Sequence, residues 1–375
     1  MVKVSVLFEN YGPYHMSRLE AFQELCNLSN WEIFGIELAR SQHKYQWKAD
    51  PKSYPVNLCS ILEDQPLEEV SLFTLIRKSL GKMHSLNPDV IAIAGYSHPA
   101  MLAILAWSLW NRKSTVLMSA SKEDDAPRSA KTEYLKRQIL RAFNAALVGG
   151  KPQKHYLLKL GKSCDSVFTG YNVVGNDTFH PNNISYLSTP LNKSFFLTIN
   201  RFIPKKNLFV LLEAYAAYRQ AVGTQAQSLV LSGDGPLRSE LEETIHKLNI
   251  QDSVYLPGFL QQQDLLPYFA HATCFIHASI QEQWGLVVNE AMAAGLPVIV
   301  SNQCGCFEDL VIEGINGFGF DPNNQKQLTD LMLKITSQSV DLEKMSAAAL
   351  AHIQNFSPDY FAKGLKQAVE YALSH

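Results

Sequence analysis

The stretch Glu282-Gln283-Trp284-Gly285-Leu286-Val287-Val288-Asn289-Glu290 runs without a break into Ala291-Met292-Ala293-Ala294-Gly295-Leu296-Pro297-Val298-Ile299-Val300. The later part reads as a helix that stops at Gly295, with Pro297 just beyond it, as helix C-termini commonly do. Val298-Ile299-Val300 then reads as a short buried strand. Glu282 therefore falls in the loop ahead of the helix, and Glu290 a turn or two inside it. The amides of Gly285 and Leu286 fall at the helix N-terminus, where unpaired N–H groups and the helix dipole favour an anion such as a phosphate. Two carboxylates able to bind hydroxyls, set around a phosphate seat, suit a nucleotide sugar.

Working outward, strands and helices alternate along the whole chain. The pattern predicts strands over 2–8, 31–36, 90–94, 114–118 and 145–149, with helices over 17–28, 70–86, 99–110 and 131–143. A second cycle predicts strands over 195–199, 227–232, 254–256, 274–277 and 298–300, with helices over 208–220, 236–248, 264–269 and 286–294. This rhythm belongs to a doubly wound parallel sheet, and two cycles predict an α/β protein of two Rossmann-like domains. The turn-forming run Phe179-His180-Pro181-Asn182-Asn183, with Pro190 soon after, reads as the linker, which sets the domains at 1–181 and 182–357. Ligands of open α/β sheets bind beyond the carboxyl ends of the strands, so the site is expected in a cleft between facing domains. No internal repeat or low-complexity tract is visible.

Bulk properties narrow the field. A chain of 375 residues can form two ordinary domains, and 46% hydrophobic with 18% charged residues fits a globular protein with a large core. A net charge of -2 gives no reason to expect nucleic acid. The six cysteines are scattered apart from Cys304-Gly305-Cys306, which is neither zinc nor disulfide spacing, and they read as reduced thiols of a cytosolic protein. The N-terminal Met-Val-Lys-Val-Ser-Val-Leu-Phe reads as a first strand rather than a signal peptide. The most apolar stretch, 99–110, is too short to span a bilayer. The expectation is a cytoplasmic protein, soluble or at most peripheral at the inner membrane face.

The Glu282–Glu290 pair with its following Ala-Met-Ala-Ala-Gly-Leu-Pro-Val-Ile run resembles the signature of the retaining glycosyltransferases of family four. That signature is Glu, seven residues, Glu, then Ala-Met-Ala-x-Gly-x-Pro-Val-Ile. The likeness is good from about Phe196 to Asp321 and weaker in the N-terminal half. It implies the GT-B fold, with the acceptor on the N-terminal domain and the nucleotide on the C-terminal one. It also implies that a last helix over 358–375 crosses back onto the first domain.

Further motifs extend the resemblance. In Asn200-Arg201-Phe202-Ile203-Pro204-Lys205-Lys206-Asn207, Arg201 and Lys206 lie on a loop at the carboxyl end of a strand. They can converge on a diphosphate, the guanidinium as a fork and the ammonium as a point charge. A solvated basic loop is the plainer explanation, but the match to the family's Gly-Arg-x-x-x-x-Lys motif favours the diphosphate. Asn200 stands where the family has Gly, and Lys205 reads as solvated. Ser232-Gly233-Asp234-Gly235-Pro236 matches a turn that lines the nucleotide pocket in the family, which makes Asp234 a candidate ligand. Pro257-Gly258-Phe259 matches one whose backbone meets the nucleobase, giving Gly258 and Phe259. Either stretch would also serve as a plain turn. Trp284 reads as a packing aromatic.

The N-terminal half is less complete. Gly12, in Asn10-Tyr11-Gly12-Pro13-Tyr14, is the one glycine where relatives carry a Gly-rich loop that approaches the diphosphate. His15 and Arg18 start the next helix and face the cleft, cap the helix or lie on the surface. His98 follows a strand and is either a ligand or a structural histidine. Many relatives carry a sugar-contacting His after the strand over 114–118; here Met118-Ser119-Ala120-Ser121-Lys122-Glu123-Asp124-Asp125 has none. Ser119, Lys122 and Asp124 are the candidates there for sugar or acceptor. Lys131, Lys136, Arg137 and Arg141 lie beside Leu135, Ile139, Leu140 and Phe143 on one helix. Basic amphipathic helices can lie on anionic membranes, although an ordinary half-buried helix is the commoner explanation.

Together these features point to a retaining glycosyltransferase of the hexosyl type. It would move a sugar from a UDP- or GDP-linked donor to a hydroxyl of a glycan, a lipid-linked sugar or a small molecule. Arg201 and Lys206 would neutralise the diphosphate, Glu282 would hold sugar hydroxyls and Glu290 the ribose. No cofactor beyond the nucleotide sugar and no metal are expected. The alternatives are a phosphorylase- or hydrolase-like relative and a non-catalytic nucleotide- or sugar-binding module. Glycoside hydrolysis, although it uses two carboxylates, leaves no diphosphate for Arg201 and Lys206 to meet. The intact set of four residues argues against a decayed module.

Overall fold

The computed structural model describes residues 1–27, 29–42 and 55–375. The chain divides into two compact units, Met1–Gly175 together with Phe356–His375, and Asn176–Asn355. The sequence reading set the corresponding boundaries at 181 and 357.

The first unit holds β1 (Val2–Phe8), β2 (Trp31–Ala39), β3 (Leu58–Leu62), β4 (Val90–Ala94), β5 (Ser114–Ser119), β6 (Ala145–Val148) and β7 (Val167–Thr169). They form one sheet in the order β3-β2-β1-β4-β5-β6-β7, with each strand pair parallel. Val90 to Ile93 and Val116 to Met118 are fully buried, as expected where helices cover both faces of a parallel sheet. The strand order reverses between β1 and β4. The sequence pattern had not predicted β3 or β7, and β2 runs three residues beyond its expected end at Ile36.

The helix expected over 17–28 spans Pro13–Cys26 instead. Pro13 presets the first helical φ, and the Gly12 amide donates to His15 Nδ1 at 3.2 Å, so the helix starts early. The expected end at Leu28 lies outside the described residues. The helix Pro358–Ser374 belongs to this unit. Phe361, Ala362, Leu365, Ala368, Val369 and Ala372 form its buried stripe at helical spacing, packed on the helix Pro13–Cys26 and on β5, β6 and β7. A Cβ on Gly364 would come within 2.1 Å of the Thr169 carbonyl oxygen, so only glycine permits that approach.

The second unit holds β8 (Phe195–Ile199), β9 (Ser228–Ser232), β10 (Val254–Tyr255), β11 (Cys274–His277), β12 (Val298–Ser301) and β13 (Gly317–Phe320). Their order is β10-β9-β8-β11-β12-β13, again with each pair parallel. Here the order reverses between β8 and β11. Phe196, Phe202, Tyr215, Tyr218 and Leu231 are among the side chains that fill its core. The expected helix over 286–294 is found at Leu286–Ala293. Among the described residues no helix is long and apolar enough to cross a membrane.

Candidate functional site

Sheet topology selects the site. In an open α/β sheet the crevice for a ligand opens at the carboxyl ends of the strands where the order reverses. In the second unit those strands are β8 and β11. The loop after β8 carries Arg201, Lys205 and Lys206, and the loop after β11 carries Glu282. The Ile280 amide donates to the Lys205 carbonyl at 3.0 Å and ties the two loops together.

Lys206 Nζ is ion-paired and hydrogen-bonded with Glu282 Oε2. Lys205, 40% exposed and so solvated as expected, also brings Nζ within 3.7 Å of Glu282 Oε1. His277, the last residue of β11, places Nε2 3.7 Å from Glu282 Oε2 and is itself fully buried. Burial alone would push the Glu282 carboxyl up. His277 and Lys206 outweigh it, and the carboxyl is held well below the usual carboxylate range. Burial also holds the His277 imidazole below its ordinary value, against the pull of Glu282. Glu282 is thus ionised and His277 neutral at physiological pH. Arg201 is exposed and joins no carboxylate of this cluster.

Gly285 sits at φ 103°, ψ 63°, a conformation that favours glycine, and forms the N-cap of Leu286–Ala293. Having no side chain, it gives the first-turn N–H groups no side-chain cap; its carbonyl accepts from the Val288 amide at 2.9 Å, and the Leu286 and Val287 amides have no acceptor within the helix. Glu290 is buried inside this helix. Trp284 is buried as expected, its indole N–H donating to Asn289 Oδ1 at 2.8 Å.

The loops after β8, β9 and β10 are joined backbone to backbone. The Asn200 amide donates to the Ser232 carbonyl at 2.9 Å, the Gly233 amide to Gly258 at 2.8 Å and the Phe202 amide to Asp234 at 2.8 Å. Gly233 and Gly235 have φ of +133° and +156° and press on Asn200 and Phe202, so both serve loop packing. Asp234 is exposed; its carboxylate accepts from the Gly235 amide at 2.7 Å and lies 3.8 Å from Arg238. Gly258 has φ +85° and Phe259 is exposed. Among the described residues no group of three or more His, Cys, Asp or Glu is placed to hold a metal ion.

In the first unit the order reverses at β1 and β4, and the loops after them carry Gly12 and His98. Gly12 has φ -86°, which any residue adopts, and among the described residues a Cβ there would meet only His15 Nδ1 at 3.9 Å. Its loop is anchored by Glu37, which the sequence did not single out. Buried Glu37 accepts from the Tyr11 amide at 2.9 Å and from Arg40 Nε at 2.8 Å. His98 caps the helix Pro99–Trp110, its Nδ1 accepting from the Ala100 amide at 3.1 Å. Ser119 Oγ accepts from the Ser121 amide at 3.2 Å, and buried Lys122 pairs with Asp124 at 2.8 Å.

Arg18 is not at the surface. It is buried and donates through Nε and Nη2 to the Val173 carbonyl at 3.0 and 2.7 Å, with burial lowering its pKa to about 10. Burial, with Arg18 nearby, also lowers His15 to about 3. An unfolded histidine takes up its proton near pH 6.5. Between about pH 6.5 and pH 3 the unfolded chain therefore binds more protons, and stability falls on acidification by at most ~1.4 kcal/mol per pH unit. Melting temperature followed across this range should fall less steeply in His15→Gln; an identical slope would reject the assignment.

Residues 181–352 match the family model for Glycosyl transferases group 1. The chain is 30% identical over 142 residues to the uncharacterized glycosyltransferase YqgM of Bacillus subtilis, covering 38% of this chain and 39% of YqgM. It is 28% identical over 302 residues to a D-inositol 3-phosphate glycosyltransferase of Streptomyces scabiei, covering 74% and 66%. The chain spans less than half the length of several curated relatives that it matches. The structure of Anabaena Alr3699/HepE in complex with UDP and glucose superposes with a TM-score of 0.77 at 18% identity, covering 99% of this chain and all of that one. The fold is that of the GT-B glycosyltransferases.

Proposed function

We propose that the chain is a retaining glycosyltransferase that moves a sugar from a nucleoside-diphosphate sugar to a hydroxyl acceptor. The observation that carries this reading is the cluster of Lys206, Lys205 and Glu282 at the β8/β11 reversal, beside the uncapped helix N-terminus at Gly285. Glu282 offsets only one of the two ammonium charges, so the cluster keeps a net positive charge that a diphosphate arriving there would share. Arg201, exposed on the same loop, is free to turn toward it. Lys206 and Arg201 then stabilise the charge that develops on the leaving group. Glu282 accepts hydrogen bonds from sugar hydroxyls, and Glu290 holds the ribose. The nucleotide end lies against the loops of Asp234, Gly258 and Phe259.

The first unit would hold the acceptor, with Ser119 and His98 near its seat. Gly12, with space for a ligand beside its backbone, is the further candidate contact in this unit. The leaving phosphate accepts the acceptor's proton, so no side chain is assigned as general base, and no metal or other cofactor is invoked. HepE binds UDP and UDP-glucose within the same fold, which supports a UDP-linked donor; GDP is the second choice.

Incubation with UDP- and GDP-sugars, reading nucleotide release and product mass, tests the reaction. Activity should persist in EDTA, and restoration only by magnesium or manganese would overturn the metal-free reading. Proton NMR of the first product from an α-linked donor should show an α linkage; a β linkage would refute retention. Glu290→Ala should weaken binding of the free nucleoside diphosphate in calorimetry. Glu282→Ala should leave that affinity largely intact while sugar transfer collapses. Equal losses of affinity in both would mean that the two roles are misassigned.

A further inference from the structure

His277 ends β11 five residues ahead of Glu282, fully buried. Its two ring nitrogens face different surroundings. Nε2 is 3.3 Å from Ser279 Oγ and 3.7 Å from Glu282 Oε2. Nδ1 is buried and has no hydrogen-bond partner among the described residues. A proton on Nδ1 would be a buried donor with no acceptor, whereas on Nε2 it meets a hydroxyl and a carboxylate. The Nε2–H tautomer follows. A second proton would have to enter at the same bare Nδ1, which agrees with the direction in which burial moves the imidazole. Gly285 lies against the pair. A Cβ there would make ordinary contact, 3.4 Å from His277 Nε2 and 3.6 Å from Glu282 Cγ, so it is the φ of +103°, not lack of space, that calls for glycine where the helix begins beside them.

Building on the function proposed above, we infer that His277 is a positioning residue. Its neutral Nε2–H holds the Glu282 carboxylate toward the sugar once a diphosphate draws Lys206 away. The reason lies in who else touches Glu282. Lys206 and Lys205 are the cations that a diphosphate would claim. A largely buried carboxylate that loses both becomes harder to keep ionised. A neutral donor does not compete for phosphate and so keeps its hold. At 3.7 Å the imidazole lies just beyond hydrogen-bond length, and a shift of under about 1 Å by the carboxylate closes the bond. The same tautomer excludes His277 as a general base, because its lone pair points into the protein.

The test compares His277→Leu, which removes the donor, with His277→Gln, whose amide N–H can reach the Nε2 position. The leucine variant should lose about 10- to 100-fold in kcat, the range of lost outer-shell support. Its affinity for the free nucleoside diphosphate should stay within about twofold, and glutamine should recover most of the rate. Combining leucine with Glu282→Gln should add little further loss. Carbon-13 NMR of labelled glutamate, without substrate, should show Glu282 titrating higher in the leucine variant. Should that variant not fold, His277→Asn moves the donor to the Nδ1 side and should behave like leucine. Parental kcat with an unmoved Glu282 titration would overturn the inference, as would additive losses or a glutamine variant no better than leucine. If the parent releases nucleotide from no sugar donor, the proposed function fails. The carboxyl titration still decides the part played by His277.

Discussion

Replacing Lys206 with alanine is expected to cut turnover by about 100- to 1000-fold, the effect of removing one preorganised charge from a leaving group, or ~2–4 kcal/mol. The melting temperature should move little. Lys205 and His277 both stay within 3.7 Å of Glu282, so the carboxylate is not left bare. Arg201→Ala should also slow turnover, and because the side chain is exposed its loss should not disturb folding. Steady-state kinetics beside a melting curve separates the two effects. Parental turnover in the Lys206 variant would remove the diphosphate role. Slow turnover with an early melt would mean that the ion pair to Glu282 serves the fold instead.

Gly233→Ala is expected to destabilise the second unit by about 3 kcal/mol or more. The residue sits at φ +133°, and an added Cβ would lie 1.7 Å from the Asn200 carbonyl oxygen. The contact is with Asn200 backbone, not with a flexible side chain that can swing away. Relief requires the loops after β8 and β9 to part, which strains the bonds from the Asn200 amide to Ser232 and from the Gly233 amide to Gly258. Denaturant titration of the variant should show a lower midpoint. A parental midpoint would mean that these loops do not pack as described.

The segment from Glu282 to Val300 was legible because each of its steps has local chemistry. Gly285 opens a helix, Gly295 closes it, Pro297 cannot continue it, and three β-branched residues follow. The alternation of strands and helices was legible for the same reason. Strand order was not, because it depends on pairing between distant residues; the reversals at β1/β4 and β8/β11 appear only in the folded sheets. β13 was missed because Gly317 and Gly319 look like turn formers. They are glycines because a Cβ would strike the Val298 carbonyl at 2.2 Å and the Phe307 ring at 2.4 Å.

At the site, Lys206 and Glu282 could be named from motif alone, whereas their contact across 76 positions of sequence could not. His277 was hidden inside an apolar strand, where a histidine reads as core. Only the Glu282 beside it and the bare Nδ1 set it apart. Arg18 misled in the opposite direction. A basic residue in the first turns of a helix reads as exposed, but the Val173 carbonyl and the face of the Tyr171 ring, 5.4 Å from its guanidinium, hold it inside.

The return of Pro358–Ser374 to the first unit has a consequence for how the chain is made. Asn176–Asn355 is continuous, so this unit can close its core as soon as residue 355 has left the ribosome. The unit that is synthesised first must wait, its helix Pro13–Cys26 and the edge near Thr169 uncovered, until Phe361, Leu365 and Val369 emerge. During translation the order of completion is therefore the reverse of the order of synthesis.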